Sequence, residues 1–167
     1  MTDLITLAAS IQKLEDIEAI KTLKHAYFRC MTLSLREELT PLFTEDVVTS
    51  YSDGKYVFNS RTALLDFLID SNSETTSTVA YWLAAMPEIE LTSETTANGT
   101  WGMYHHYFKT DHGYVNEIFV YYQDQYRKVD GKWRICKTGY QTVYDKVTSK
   151  AENPFTVNKP SWVDNKK

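Results

Sequence analysis

Cysteine is scarce: only Cys30 and Cys136 occur in 167 residues. Two thiols so far apart form no disulfide framework, no CxxC pair and no zinc-ligand spacing. Both are read as buried thiols of a reducing compartment. No stretch approaches the ~18 apolar residues that a membrane span requires, so no membrane partner is expected. The opening MTDLITLAAS has no basic segment ahead of its apolar residues, unlike a secretory signal, and the cytoplasm is the expected location. Basic residues are the minority, 18 against 22 acidic, for a net charge of −4 spread along the chain. That balance argues against nucleic acid, which requires a basic stripe. A Gly-rich phosphate loop, a P-loop and a nucleophile elbow are all missing, so no nucleotide cofactor is expected. The histidines lack metal-ligand spacing, because adjacent His105 and His106 fall on opposite faces of a strand. No metal or other cofactor is expected. Repeats and low-complexity segments are absent as well.

Aromatic residues, in contrast, are plentiful: 12 Tyr, 7 Phe and 4 Trp. Rings bury large area, and a buried tyrosine needs a partner for its hydroxyl. So many tyrosines point to a cavity with a polar-studded wall. A chain of this length forms one domain burying roughly 70% of its unfolded surface. The domain is expected over 1–150, with an irregular tail over 151–167 that contains Pro154, Pro160 and Asn-Lys-Lys.

From Leu4 the apolar residues recur at Leu7, Ile11, Leu14, Ile17, Ile20, Leu23 and Tyr27, steps of three and four that predict a helix to about Met31. Its first half has coiled-coil spacing for under two heptads. That half either extends past the domain onto a neighbouring subunit or faces the core as an ordinary amphipathic helix. A short helix is predicted over Ser34–Phe43, with Pro41 near its end. Asp46–Tyr51 and Tyr56–Phe58 flank Asp53-Gly54, a hairpin signal. Ser60 is placed to cap a third helix, whose apolar set is Ala63, Leu64, Phe67 and Leu68. The second half reads as strands over about 79–84, 87–96, 98–110, 113–129 and 132–145. Asn98-Gly99, Asp111-His112-Gly113 and Asp130-Gly131 are taken as their hairpin turns, and Gly139 as a bend. Helices followed by a meander of long antiparallel strands predict an α+β fold with the helices packed on a curled sheet.

Certain segments resemble a known family. They are Asp16-Ile-Glu-Ala-Ile-Lys-Thr-Leu-Lys24, Tyr27-Phe-Arg-Cys30, Val48-Thr-Ser-Tyr-Ser-Asp-Gly-Lys55, Pro87-Glu-Ile89, Ser93-Glu-Thr-Thr-Ala97 and Thr138-Gly-Tyr140. In unbroken order over about residues 14–145 they resemble the SnoaL-like branch of the nuclear-transport-factor-like cone folds, and most closely the bile acid 7α-dehydratase group. The resemblance implies a curved antiparallel sheet forming a cone, with N-terminal helices packed on it (a cystatin-like α+β barrel). It implies a cofactor-free lyase or isomerase that moves a proton on a hydrophobic polycyclic molecule, steroid-like or polyketide-like. It also implies a homo-oligomer, trimer or dimer. Tyr27 and Tyr51 occupy the group's two tyrosine positions. The group's aspartate falls at Thr32, its histidine at Ala85, that histidine's carboxylate partner at His105, and its arginine near Thr142.

His105 is the sharpest catalytic candidate among the residues, since an imidazole titrates near neutrality and can act as a base. Alternation along the strand places Trp101, Met103, His105 and Tyr107 on one face and His106 on the other. Trp82, Trp101, Met103, Tyr107, Asn116 and Tyr140 are expected to line the cavity, with Glu117 an alternative to Asn116. Tyr27 and Tyr51 supply phenolic donors. Two further readings stay open: a ligand-binding or assembly protein without chemistry, and a polyketide-type cyclase.

Overall fold

The 29 residues from Leu4 to Thr32 form a single helix, α1. Asp3 caps it, accepting the Thr6 N–H at 2.7 Å. The computed structural model describes residues 3–158. From Asp16 onward α1 buries Ile20, Leu23, Lys24, Tyr27, Phe28 and Met31, so this half faces the sheet. Leu4, Leu7, Ile11 and Leu14 stay exposed, which overturns the core-facing alternative for the first half. The chain then makes a short helix, α2 (Arg36–Leu39), and a 3-10 turn, Thr40–Leu42, that accommodates Pro41. Strands β1 (Phe43–Tyr51) and β2 (Tyr56–Phe58) form the expected hairpin. Ser52, Asp53 and Gly54 all take positive φ in its turn. Helix α3 covers Arg61–Asp70; Ser60 holds the cap position, yet its side chain makes no capping bond.

Four long strands follow: β3 (Thr78–Leu91), β4 (Thr96–Lys109), β5 (Tyr114–Val129) and β6 (Lys132–Ser149). They pair in sequence as an antiparallel meander within one curved six-stranded sheet, ordered β2-β1-β6-β5-β4-β3. The expected all-antiparallel pairing needs one correction, because β1 lies parallel to β6. The sheet also stays open, with β2 and β3 as its edges.

Two turn expectations are corrected as well. Asn98-Gly99 lies inside β4, and the β3–β4 turn falls at Thr92–Thr95. There the Ser93 hydroxyl accepts the N–H groups of Thr95 and Thr96 at 3.1 and 3.0 Å, a local alternative to the ladder. Gly99 answers to packing: a Cβ on it would lie 2.9 Å from the Tyr126 ring. The break expected between residues 84 and 87 is a bulge within one strand, with Met86 at φ 52° and a register shift between Ala85 and Glu88.

Curvature comes from the register shifts of β5 against β6, between Phe119 and Val120 and between Gln125 and Tyr126. Gly139 sits between them, where a Cβ would meet the Ser50 carbonyl oxygen at 2.2 Å. A side chain there would push β1 off β6. The concave face of the sheet and the buried half of α1 enclose the core. Of the tail, residues 151–158 are irregular and Phe155 packs on Phe108, their rings 5.3 Å apart. Pro160 and Asn-Lys-Lys lie outside the described residues.

Candidate active site

Alternation along β4 turns Met103, His105 and Tyr107 to the concave side, and β5 adds Tyr122 in the same way. Helix α1 brings Tyr27 over them, β1 ends on Tyr51, and β3 contributes Trp82. Tyr27, Tyr51, Trp82, Met103, His105 and Tyr122 wall a chamber of about 70 Å³, with Tyr140 and Phe67 at its rim, while Tyr107 lies on the wider space beyond it. Its outer end opens into a wider mouth of about 580 Å³, lined by charged and hydroxyl side chains that include Asp53, Lys55, Lys109 and Asp145. His105, Tyr140, Phe67 and Ser71 belong to both walls. The two spaces are therefore one funnel, with His105 at the neck.

Inside the chamber the Tyr27 and Tyr51 hydroxyls lie 3.1 Å apart. Burial first, then the neighbouring phenols Tyr122 and Tyr51, holds Tyr27 well above the ordinary tyrosine range. Burial also raises Tyr51. Both stay protonated and act as neutral hydrogen-bond donors. The His105 ring stacks on Trp82 with centroids 4.8 Å apart and planes 19° apart, and the Tyr107 ring lies tilted 5.0 Å away. Its Nε2 is buried without a hydrogen-bond partner among the described residues. Burial, with a smaller push from His106, depresses the imidazole to about 3. The expectation of titration near neutrality is thereby corrected: desolvation removes the charged form.

Most groups at the mouth are already engaged. Lys109 donates to the Thr76 carbonyl and the Thr78 hydroxyl. Asp53 accepts the Thr142 N–H at 3.0 Å, and the Ser52 and Tyr140 hydroxyls bond at 2.8 Å. Lys55 lies over the Tyr56 ring, 5.1 Å from its centroid.

Two expected lining residues sit elsewhere. Trp101 is fully buried beneath the chamber and donates to the Tyr126 hydroxyl at 2.9 Å. Asn116 lines neither space; it is buried and donates to Asp145 at 2.5 Å. Thr142 lies on the mouth, Thr32 in a separate groove beside α1, and Ala85 is exposed next to the β3 bulge. Among the described residues no carboxylate is bonded to His105. His106 points to the outer face, its Nδ1 3.2 Å from the Tyr104 hydroxyl, which donates to Glu117 at 2.6 Å.

One pair escaped the sequence reading. Lys24 and Asp124 are both completely buried, with Nζ 2.7 Å from Oδ2. Asp124 also accepts the Tyr126 hydroxyl at 2.7 Å and the Thr138 hydroxyl at 2.6 Å. The signal was present in the spacing. Lys24 falls on the stripe of Ile20, Tyr27, Phe28 and Met31, and Asp124 alternates with Tyr122 and Tyr126.

Residues 12–139 match the model of the SnoaL-like domain. The chain belongs to the SnoaL-like family. Solved structures agree on the fold. A hexachlorocyclohexane dehydrochlorinase, LinA type 2, superposes with a TM-score of 0.78 at 14% identity, covering 90% of this chain and 98% of the other. A protein named as a candidate scytalone dehydratase, from Novosphingobium aromaticivorans, gives 0.73 at 21% identity over 92% and 97%. An NTF2-like protein with a cystatin-like fold from the same organism gives 0.70 at 18% identity over 86% and 92%. In this SnoaL-like chain the cone interior is the funnel just described. Among its described residues no helix is long and apolar enough to cross a membrane.

Proposed function

We propose that this SnoaL-like protein is a cofactor-independent lyase, a dehydratase or an isomerase, acting by proton transfer on a hydrophobic small molecule of steroid-like or polyketide-like type. One observation carries the reading: two protonated phenols and an unpartnered neutral imidazole nitrogen share one apolar chamber. In the proposed reaction His105 takes a proton from carbon next to a carbonyl. The carbonyl oxygen gathers the resulting charge and accepts hydrogen bonds from Tyr27 and Tyr51. Collapse of the enolate expels a β-hydroxyl, which leaves with the proton from His105 as water; returning that proton to a different carbon gives the isomerase outcome. A base this weak suits only a carbon already acidified by a conjugated or doubled carbonyl. The dehydrochlorinase and dehydratase names of the structural neighbours are consistent with elimination, as is the resemblance to bile acid dehydratases.

Screening hydroxylated steroid and polyketide compounds for thermal stabilisation, then assaying the hits for loss of water or a shifted double bond, tests this. His105→Ala is expected to lower kcat by roughly 100-fold or more while ligand affinity changes less than about tenfold. The second reading, a binder without chemistry, is favoured by the missing carboxylate partner of His105. It wins if stabilising ligands are returned unchanged. We also propose that the protein works as a homo-oligomer in the cytoplasm.

A further inference from the structure

The Lys24–Asp124 pair has no part in the reaction just described, yet it lies directly behind the chamber wall. The Lys24 ammonium is 3.9 Å from the centre of the Tyr122 ring and 4.7 Å from that of Tyr27, both chamber residues, and 5.1 Å from that of Phe28. Among the described residues it has no oxygen acceptor apart from Asp124, so three ring faces take the place of water around it. Burying two charges costs desolvation that a well-packed apolar pair avoids, so an ion pair of this kind adds little to stability by itself. Its geometry is directional. Asp124 is engaged by Tyr126 and Thr138, while the positive end touches the rings whose other edges form the chamber.

We propose that Lys24 is a positioning residue: held by Asp124 under Tyr27 and Tyr122, it biases the chamber toward ligands that carry or develop negative charge on an oxygen beside Tyr27 and Tyr51. The ligand class is then enols, phenols and β-dicarbonyl compounds in preference to plain hydrocarbons or amines. This rests on the chamber being the ligand site. In a dry site the ammonium end of the pair, set against the wall rings, acts with little screening; it works against the Asp124 carboxylate, which adds to burial in holding Tyr51 and Tyr122 neutral, and the rings over the ammonium are held in place by the same contact.

4-Nitrophenol is a suitable probe: one ring, a hydroxyl that titrates near neutrality, and a yellow anion. With the full-length protein at pH 7, bound 4-nitrophenol is expected to be mostly anion by absorbance. In Lys24→Met/Asp124→Asn, which removes both charges together and so leaves no lone buried ion, the anion-to-phenol ratio of the bound probe is expected to fall at least tenfold. The melting temperature serves as the folding control. An unchanged ratio in that variant overturns the inference and leaves the chamber reading standing. If the variant does not fold, the wild-type spectrum still decides: a bound probe more neutral than in buffer overturns the inference. A wild-type protein that does not bind the probe, or binds it undisplaced by a hit from the ligand screen, overturns the chamber reading and this inference with it.

Discussion

The His105 ring, packed against Trp82 and Tyr107, has lost most of its water, and the loss falls on the charged form alone. With His105 depressed to about 3 against an ordinary 6.5, the unfolded chain binds a proton between those values that the folded chain refuses. The folded-state value is lowered, so the stabilising contribution is complete above about 6.5 and is lost as pH falls toward 3. The slope from this one group is at most about 1.4 kcal/mol per pH unit. Urea unfolding at pH 7, 6 and 5 is expected to show a shallower acid loss in His105→Gln than in the wild type; parallel losses would mean that the ring is hydrated. The same depression shapes catalysis. A base already unprotonated at every physiological pH leaves kcat/KM flat from about pH 5 to 8. A limb near 6.5 would assign the proton transfer to another group. Tyr27→Phe, which removes one hydroxyl of the 3.1 Å pair, is expected to cost about 1 kcal/mol of stability and to lower kcat more than it raises KM.

At the scale of elements, two glycines hold the sheet to its shape. Gly139→Ala places a methyl 2.2 Å from the Ser50 carbonyl oxygen, where only backbone movement gives relief, and Gly99→Ala presses on the Tyr126 ring at 2.9 Å. Expected losses are about 3 kcal/mol or more for the first and about 1–3 for the second. Gly131→Ala meets nothing within 4 Å, though its φ is +74°, and should cost about 1–2 kcal/mol. Denaturant midpoints for the three variants, ranked in that order, check the assignment. The helices and the meander were legible in the sequence because their signals are local: three- and four-residue spacing in α1, Asp-Gly in two hairpins. Asn98-Gly99 carries an equally strong local signal and misled, because the demand on Gly99 comes from a ring 27 residues further on, at Tyr126. The parallel β1–β6 pairing has no local signal at all, since it joins strands almost a hundred residues apart. The site divides in the same way. Alternation brought Met103, His105 and Tyr107 to one face, but it could not tell that Trp101 lies below the chamber floor, nor that Lys24 is buried opposite Asp124.

On the whole molecule, the question left by α1 is what covers its first three turns. Leu4, Ile5, Leu7, Ile11 and Leu14 are 48–83% exposed, and a stretch of helix that short is marginal in water without packing. The outer sheet face adds Tyr81, Leu83, Met86, Tyr121 and Tyr144, also exposed. Its Glu117 and Lys146 neutralise one another at 2.9 Å. A neutral apolar face meets its own copy without the charge repulsion that a net charge of −4 imposes elsewhere. Light scattering coupled to gel filtration is therefore expected to give two or three times the 19.4 kDa chain mass. Two variants separate the surfaces. Leu7→Glu/Ile11→Glu burdens the helix and Tyr121→Glu/Tyr144→Glu the sheet, and the pair that lowers the mass identifies the contact. Because the funnel of one chain already carries Tyr27, Tyr51 and His105, ligand binding should survive dissociation in either variant. Binding lost together with the assembly, in a variant that still folds, would show that a neighbouring copy completes the site.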